Sequence, residues 1–181
     1  YGVMLKEDGF IFDDGVVGHV PFADPTCKLL RAALEDAADT TGARVHRGGV
    51  YTCVEGPQFS TRAESMLYRS WGVDVIGMTA MPEAKLAREA ELPFANLSLA
   101  TDYDCWRVGE EEVSVDAVIA VLQRNVALAQ AVVQRLATSL PRTTAELPYP
   151  RALDHAILTA RDRVSDEARA RLDLIAGHIL G

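Results

Sequence analysis

Six residues constrain this chain most tightly. Val73-Asp74-Val75-Ile76-Gly77-Met78 is a near-continuous apolar run bounded by glycines, the pattern of a strand buried in a parallel sheet. Thr79 follows at the strand end, Pro82 suits the first position of the next helix, and residues 83–90 complete that helix. A strand, a polar exit and a helix in quick succession make one unit of an open α/β sheet, and such sheets place ligands beyond the strand ends.

The same rhythm occurs on both sides. Upstream, Gly48-Gly49 turns into a strand over 50–54, and Pro57 stops that strand because proline removes a ladder donor. Thr61 with Glu64 three residues on is a capping box, which predicts a helix from about residue 62 to 71, ended by Gly72. Downstream, 94–100 reads as a further strand. Alternation of this kind predicts an α/β fold: a mixed, mainly parallel twisted sheet flanked by helices.

The flanks are less regular. Gly9 to Gly15 suggests a short strand into an Asp13-Asp14-Gly15 turn, and residues 18–25 form a loop containing Pro21 and Pro25. Residues 26–38 carry Leu29, Leu30, Ala33, Leu34 and Ala37 at helical spacing, with Gly42 as the stop. Ser114 caps a long helix to about Leu140, with Val115, Val118, Ile119, Leu122, Val126, Ala129, Val133 and Leu136 as its apolar face. Pro141 to Pro150 is a linker or strap with three prolines, and 151–160 and 165–180 read as two amphipathic helices. This divides the chain into an α/β domain over 1–140 and a helical C-terminal extension over 141–181.

Composition narrows the function. At 181 residues, 49% hydrophobic and 24% charged, the chain has the makeup of a soluble globular protein with one core. It has no membrane-spanning run of about 18 apolar residues, and its first residues lack the apolar core of a signal peptide. It also begins without Met, so a processed or partial chain is expected. A net charge of −8 with no basic block argues against nucleic acid. Cys27, Cys53 and Cys105 are widely spaced and odd in number, which reads as free thiols in a reducing cytoplasm. The four histidines contain no i, i+4 pair, so no metal site is expected, and Cys53 reads as strand packing.

Two segments carry the chemistry: Glu55-Gly56-Pro57-Gln58-Phe59-Ser60-Thr61-Arg62-Ala63-Glu64, and Thr101-Asp102-Tyr103-Asp104-Cys105-Trp106. Read alone, Asp-Tyr-Asp also suits a strand exit, and Phe59, Met78 and Val115 also suit a core. Glu64 is explained by the capping box and Glu55 by a structural hydrogen bond, so paired carboxylates of the glycosidase type are not expected. With the run at 73–79, these segments resemble the purine nucleoside phosphorylase family, and within it the 5′-methylthioadenosine phosphorylase branch. The likeness covers roughly Gly15 to Leu136.

The resemblance implies phosphorolysis of a purine nucleoside, in which phosphate attacks the anomeric carbon and the purine departs. No cofactor is implied beyond inorganic phosphate as co-substrate. Asp102 would assist the leaving purine at N7, which asks for a carboxyl raised in pKa by apolar surroundings. Asp104 would accept from a 6-amino group. The 6-oxopurine enzymes carry Asn and Glu where this chain has Asp102 and Ser60, so a 6-aminopurine is implied, most simply 5′-methylthioadenosine. A 6-oxopurine phosphorylase is the alternative.

The resemblance also places Phe59, Ser60, Gly77 and Met78 around base and ribose, Val115 at the 5′ alkyl group, and Thr79 against phosphate. It implies a homotrimer in purine salvage, with His19 of Gly18-His19-Val20-Pro21 reaching a neighbouring subunit's site. The family's Gly-rich phosphate loop and Arg-His clamp have no match between Tyr1 and Gly15. A chain holding only the base and ribose half of the site is therefore expected to bind purines better than it turns them over. A remodelled purine-binding relative without turnover is the other reading.

Overall fold

The computed structural model describes residues 2–4 (as backbone), 11–107, 115–140 and 151–181. Its sheet has three parallel strands in the order β1 (Gly2–Met4), β2 (Tyr51–Cys53) and β3 (Val75–Gly77). Tyr51 sits opposite Gly2 on one side and Val75 on the other. Both expected central strands are present, each shorter than its apolar run. β1 lies in a stretch whose sequence shows no strand signal, and its pairing with β2 places it.

The helices follow the sequence signals closely. α1 spans Lys28–Asp39 and ends before Gly42, whose φ of 73° is left-handed. α2 spans Arg62–Ser70, and its capping box is complete: Thr61 Oγ1 accepts from Glu64 N, while Glu64 Oε2 accepts from Thr61 N at 2.7 Å. α3 spans Ala80–Glu89, starting before Pro82 rather than at it. Pro82 is then the third residue of the first turn, where a missing N–H still leaves no intrahelical bond unmade. α5 spans Asp166–Leu180, with Ser165 Oγ accepting from Ala168 N.

Three expectations are corrected. Residues 94–100 form no strand: among the described residues no ladder partner runs beside them, and Phe94 O instead accepts from Cys27 N at 2.7 Å. Residues 11–15 are bends and a turn rather than a strand end. Residues 151–160 are not a helix either. They make a run of turns over 151–156, because Ile157 bridges Gly18 antiparallel and Leu158 N donates to Val17 O. Pairing with residues 17–19 takes the groups a helix would have used. The expected cap Ser114 and the strap 141–150 lie outside the described residues.

α4 spans Val115–Ser139, but its buried face is rotated from the expected one. Val132 is fully buried against Ala37 and Ala38 of α1, with Leu34, Val45, Leu97 and Leu136 around them. Val115, Ile119, Leu122, Val126 and Val133 are exposed. The helix has two apolar stripes, and hydropathy alone does not say which one meets α1. A second cluster joins the chain's extremities: Phe12 and Val16 pack with Leu153, Ala156, Val164, Ala168, Leu172, Ala176 and Leu180. No described helix is long and apolar enough to cross a membrane.

Candidate active site

Parallel pairing of β2 and β3 brings their C-terminal ends together, and Val54 N extends the ladder by donating to Gly77 O at 2.9 Å. The loops leaving both strands are therefore adjacent. Gly56, with φ of 71°, lies against the Met78 side chain: a Cβ there would come within 2.8 Å of Met78 Sδ. Only glycine combines that backbone with that approach.

The second chemical segment is tied to the first. Cys105 Sγ donates to Ser60 O at 3.4 Å, Arg62 Nη1 donates to Cys105 O, and the Arg69 guanidinium lies 3.5 Å over the Trp106 ring. Arg62 is thus engaged as a tie between the two segments. Burial pushes the Cys105 thiol up, and the Asp104 carboxylate adds to the rise. Burial likewise raises Tyr68, with Glu64 and Asp104 acting in the same direction.

The two aspartates are arranged differently. Asp102 is exposed, and both its oxygens are engaged: Oδ1 accepts from Asp104 N at 2.8 Å and Oδ2 from Thr101 Oγ1 at 2.6 Å. The apolar surroundings expected at its carboxyl are not furnished by the described residues. Asp104 adopts a left-handed backbone, φ 61°, which aspartate tolerates better than most residues. Its Oδ1 accepts from Cys105 N at 2.8 Å, while Oδ2 is buried with no hydrogen-bond partner among the described residues. A buried acceptor left unpaired is costly in a finished core and is what a ligand donor would satisfy.

The remaining candidates are placed as follows. Ser60, Gly77 and Met78 are half-buried, and Phe59 is 47% exposed. Thr79 is exposed at the start of α3, and its side chain makes no cap hydrogen bond. None of the ties above reaches His19 or Val115. His19 is exposed with its backbone N donating to Ala156 O at 2.8 Å, and Val115, the first residue of α4, is 61% exposed. Among the described residues no cluster of His, Cys, Asp or Glu could hold a metal. Two contributors had no sequence signal of their own, Cys105 and Tyr51. Tyr51 lies opposite Val75 in the ladder, yet its ring crosses Gly77, where a Cβ would collide with the hydroxyl.

The phosphorylase superfamily profile matches residues 4–138. The chain belongs to the phosphorylase superfamily. Among its relatives, the S-methyl-5′-thioadenosine phosphorylase of Geobacter sulfurreducens is 53% identical over 92% of this chain and 58% of its own length. That of Cereibacter sphaeroides is 50% identical over 93% of this chain and 59% of its own length. The chain spans about three fifths of these relatives. A methylthioadenosine phosphorylase from an antarctic soil metagenomic library superposes with a TM-score of 0.85 at 40% identity, covering 96% of this chain and 62% of that one. A Schistosoma mansoni methylthioadenosine phosphorylase in complex with adenine gives 0.71 at 28% identity, covering 76% and 55%. The phosphorylase α/β fold expected from the motifs is the fold observed.

Proposed function

We propose that this superfamily member serves the phosphorolysis of a 6-aminopurine nucleoside, 5′-methylthioadenosine above all, to adenine and a ribose 1-phosphate. The observation that carries the reading is Asp104, whose buried Oδ2 has no hydrogen-bond partner among the described residues. An exocyclic amino group is a donor and satisfies it, whereas a 6-oxo group would set acceptor against acceptor. The activities of the relatives point the same way.

In this reading Asp102 serves the departing purine, with Ser60 and Phe59 beside the base. Gly77 and Met78 lie by the ribose, Thr79 by phosphate, and Val115 by the 5′ alkyl group. Inorganic phosphate is the co-substrate and no cofactor takes part. The acting form is a cytoplasmic homotrimer in purine salvage, in which His19 of one protomer completes a neighbour's site. Three unpaired thiols accord with that compartment, and the exposed position of His19 accords with a reach outward.

Phosphate carries nearly two negative charges at neutral pH and calls for several oriented donors. Thr79 is one, and Arg62 is committed to Cys105 O. The 181-residue chain by itself is therefore expected to bind purines better than it turns nucleosides over. Calorimetry with adenine and hypoxanthine tests the base assignment. Adenine should bind more tightly by about 1–3 kcal/mol, and equal or reversed affinities would sink it. Release of adenine from methylthioadenosine, with and without phosphate, tests the reaction.

A further inference from the structure

The segment that carries His19 is held from two sides. On one side Val17 N donates to Thr159 Oγ1 at 2.9 Å, Leu158 N donates to Val17 O at 2.9 Å, and His19 N donates to Ala156 O at 2.8 Å. On the other side stands Arg88, in the last turn of α3 and only 4% exposed. Its Nη1 donates to Pro21 O at 2.5 Å and its Nη2 to Asp24 O at 2.6 Å. The guanidinium carbon lies 5.7 Å from the centre of the Phe22 ring, within cation–π range. The planar fork of arginine suits this task, since two nitrogens at fixed spacing meet two carbonyls. A buried cation is costly unless its donors are engaged, and a loop that only joins two elements does not need one. The backbone over 17–24 is thus fixed on both flanks, while the His19 side chain stays exposed.

We propose that Arg88 is a positioning residue: its guanidinium grips the loop 21–24 and so fixes where His19 is presented to a neighbouring protomer's site. The proposal rests on the phosphorolysis reading for what His19 meets, and on the hydrogen bonds above for the grip. Pro21 and Pro25 already restrict the loop, and Arg88 adds the contact that ties it to α3. The last turn of a helix favours a cation, which lowers the cost of burying the guanidinium there. Because α3 begins directly after Thr79, one rigid helix relates the phosphate side of one site to the histidine lent to another. Lysine would keep the charge but offer a single nitrogen, and methionine would keep an apolar stem and offer no donor.

The test compares Arg88→Met, which removes every donor, with Arg88→Lys, which returns a cation, in the whole chain. Backbone order parameters from amide nitrogen relaxation are read at Phe22, Ala23 and Asp24. In Arg88→Met they should fall from the rigid range of about 0.85 to below about 0.6, with α5 unchanged. Arg88→Lys should restore part of the order. Wild-type order in a folded Arg88→Met variant overturns the grip. Should Arg88→Met not fold, Arg88→Gln, with one side-chain nitrogen for two carbonyls, makes the same comparison. A second measurement concerns His19. By calorimetry, Arg88→Met should weaken methylthioadenosine binding several-fold and leave adenine, which has no 5′ group, unchanged. In a His19→Ala background it should cost nothing further, because both changes act on one contact. A loss of full size in that background, or an equal loss for adenine, overturns the positioning role. A wild-type chain that binds no methylthioadenosine counts against the phosphorolysis reading, and the order parameters still decide on Arg88.

Discussion

Two regions of this molecule bury side chains in opposite ways. Around α5, residues 11–16 and 151–180 close a core in which Leu153 and Ala176 are wholly buried. Polar groups at its rim find partners across long sequence separations. Glu91 accepts from Leu153 N and lies 3.3 Å from His178 Nε2, Glu89 accepts from Ile11 N, and Arg171 pairs with Asp13. Beyond the ends of β2 and β3 the pattern inverts. Phe59 is exposed at the loop, and Asp104 Oδ2 is buried with no hydrogen-bond partner among the described residues. One region is finished by the residues at hand, and the other is organised yet unsatisfied. Physical economy explains stability in the first, whereas the second retains costs that a ligand or a further surface would relieve.

The sharpest way to break this contrast is to damage the closed core. Leu153→Ala removes a side chain with no exposed surface, and a loss of about 2–5 kcal/mol is expected in denaturant unfolding. Adenine affinity of the folded protein should not change; a parallel fall would show that the two regions act as one unit. Next in size is Asp104→Asn. It keeps an acceptor for Cys105 N and a residue type that tolerates positive φ, but it puts an amide donor where Oδ2 stood. Adenine affinity should fall by about 1–3 kcal/mol and hypoxanthine should gain on it, while stability moves within about 0.5 kcal/mol. A stability loss as large as that of Leu153→Ala would mean that Oδ2 is not idle.

Smaller is Thr61→Ala, which opens the capping box at the entrance to α2 and should cost about 1 kcal/mol by the same unfolding measurement. Its pH dependence refines the comparison. Hydrogen bonds from the Thr61 amide and then its hydroxyl hold the exposed Glu64 carboxyl below its ordinary value. A depressed carboxylate stabilises the folded state above its unfolded pKa, and that contribution is lost as pH falls through the folded pKa. The gap between wild type and Thr61→Ala should therefore be widest near neutrality and shrink in acid. A gap that widens on acidification would reverse the sign and exclude Glu64 as its source.

Much of this molecule is local and therefore legible in the residues. Thr61 and Glu64 meet across one helical turn, Gly42 and Gly72 stop helices through their own backbones, and Ser165 caps α5 from three residues away. The apolar runs at β2 and β3 announce burial on both faces, and a parallel arrangement follows from the helix between them. The density of the loop motifs was enough to point to the phosphorylase fold. What required tertiary structure depended on partners remote in sequence. Residues 94–100 have strand composition and find no ladder among the described residues, and residues 151–160 have helical composition and pair with residues 17–19 instead. α4 carries two apolar stripes, and contact with Ala37 and Ala38 selected one of them. The commitment of Arg62 to Cys105 O, the unpaired Oδ2 of Asp104 and the phenol of Tyr51 over Gly77 arise from the same cause. Propensity and periodicity are properties of a segment, whereas satisfaction of a hydrogen-bonding group is a property of the neighbours that folding delivers to it.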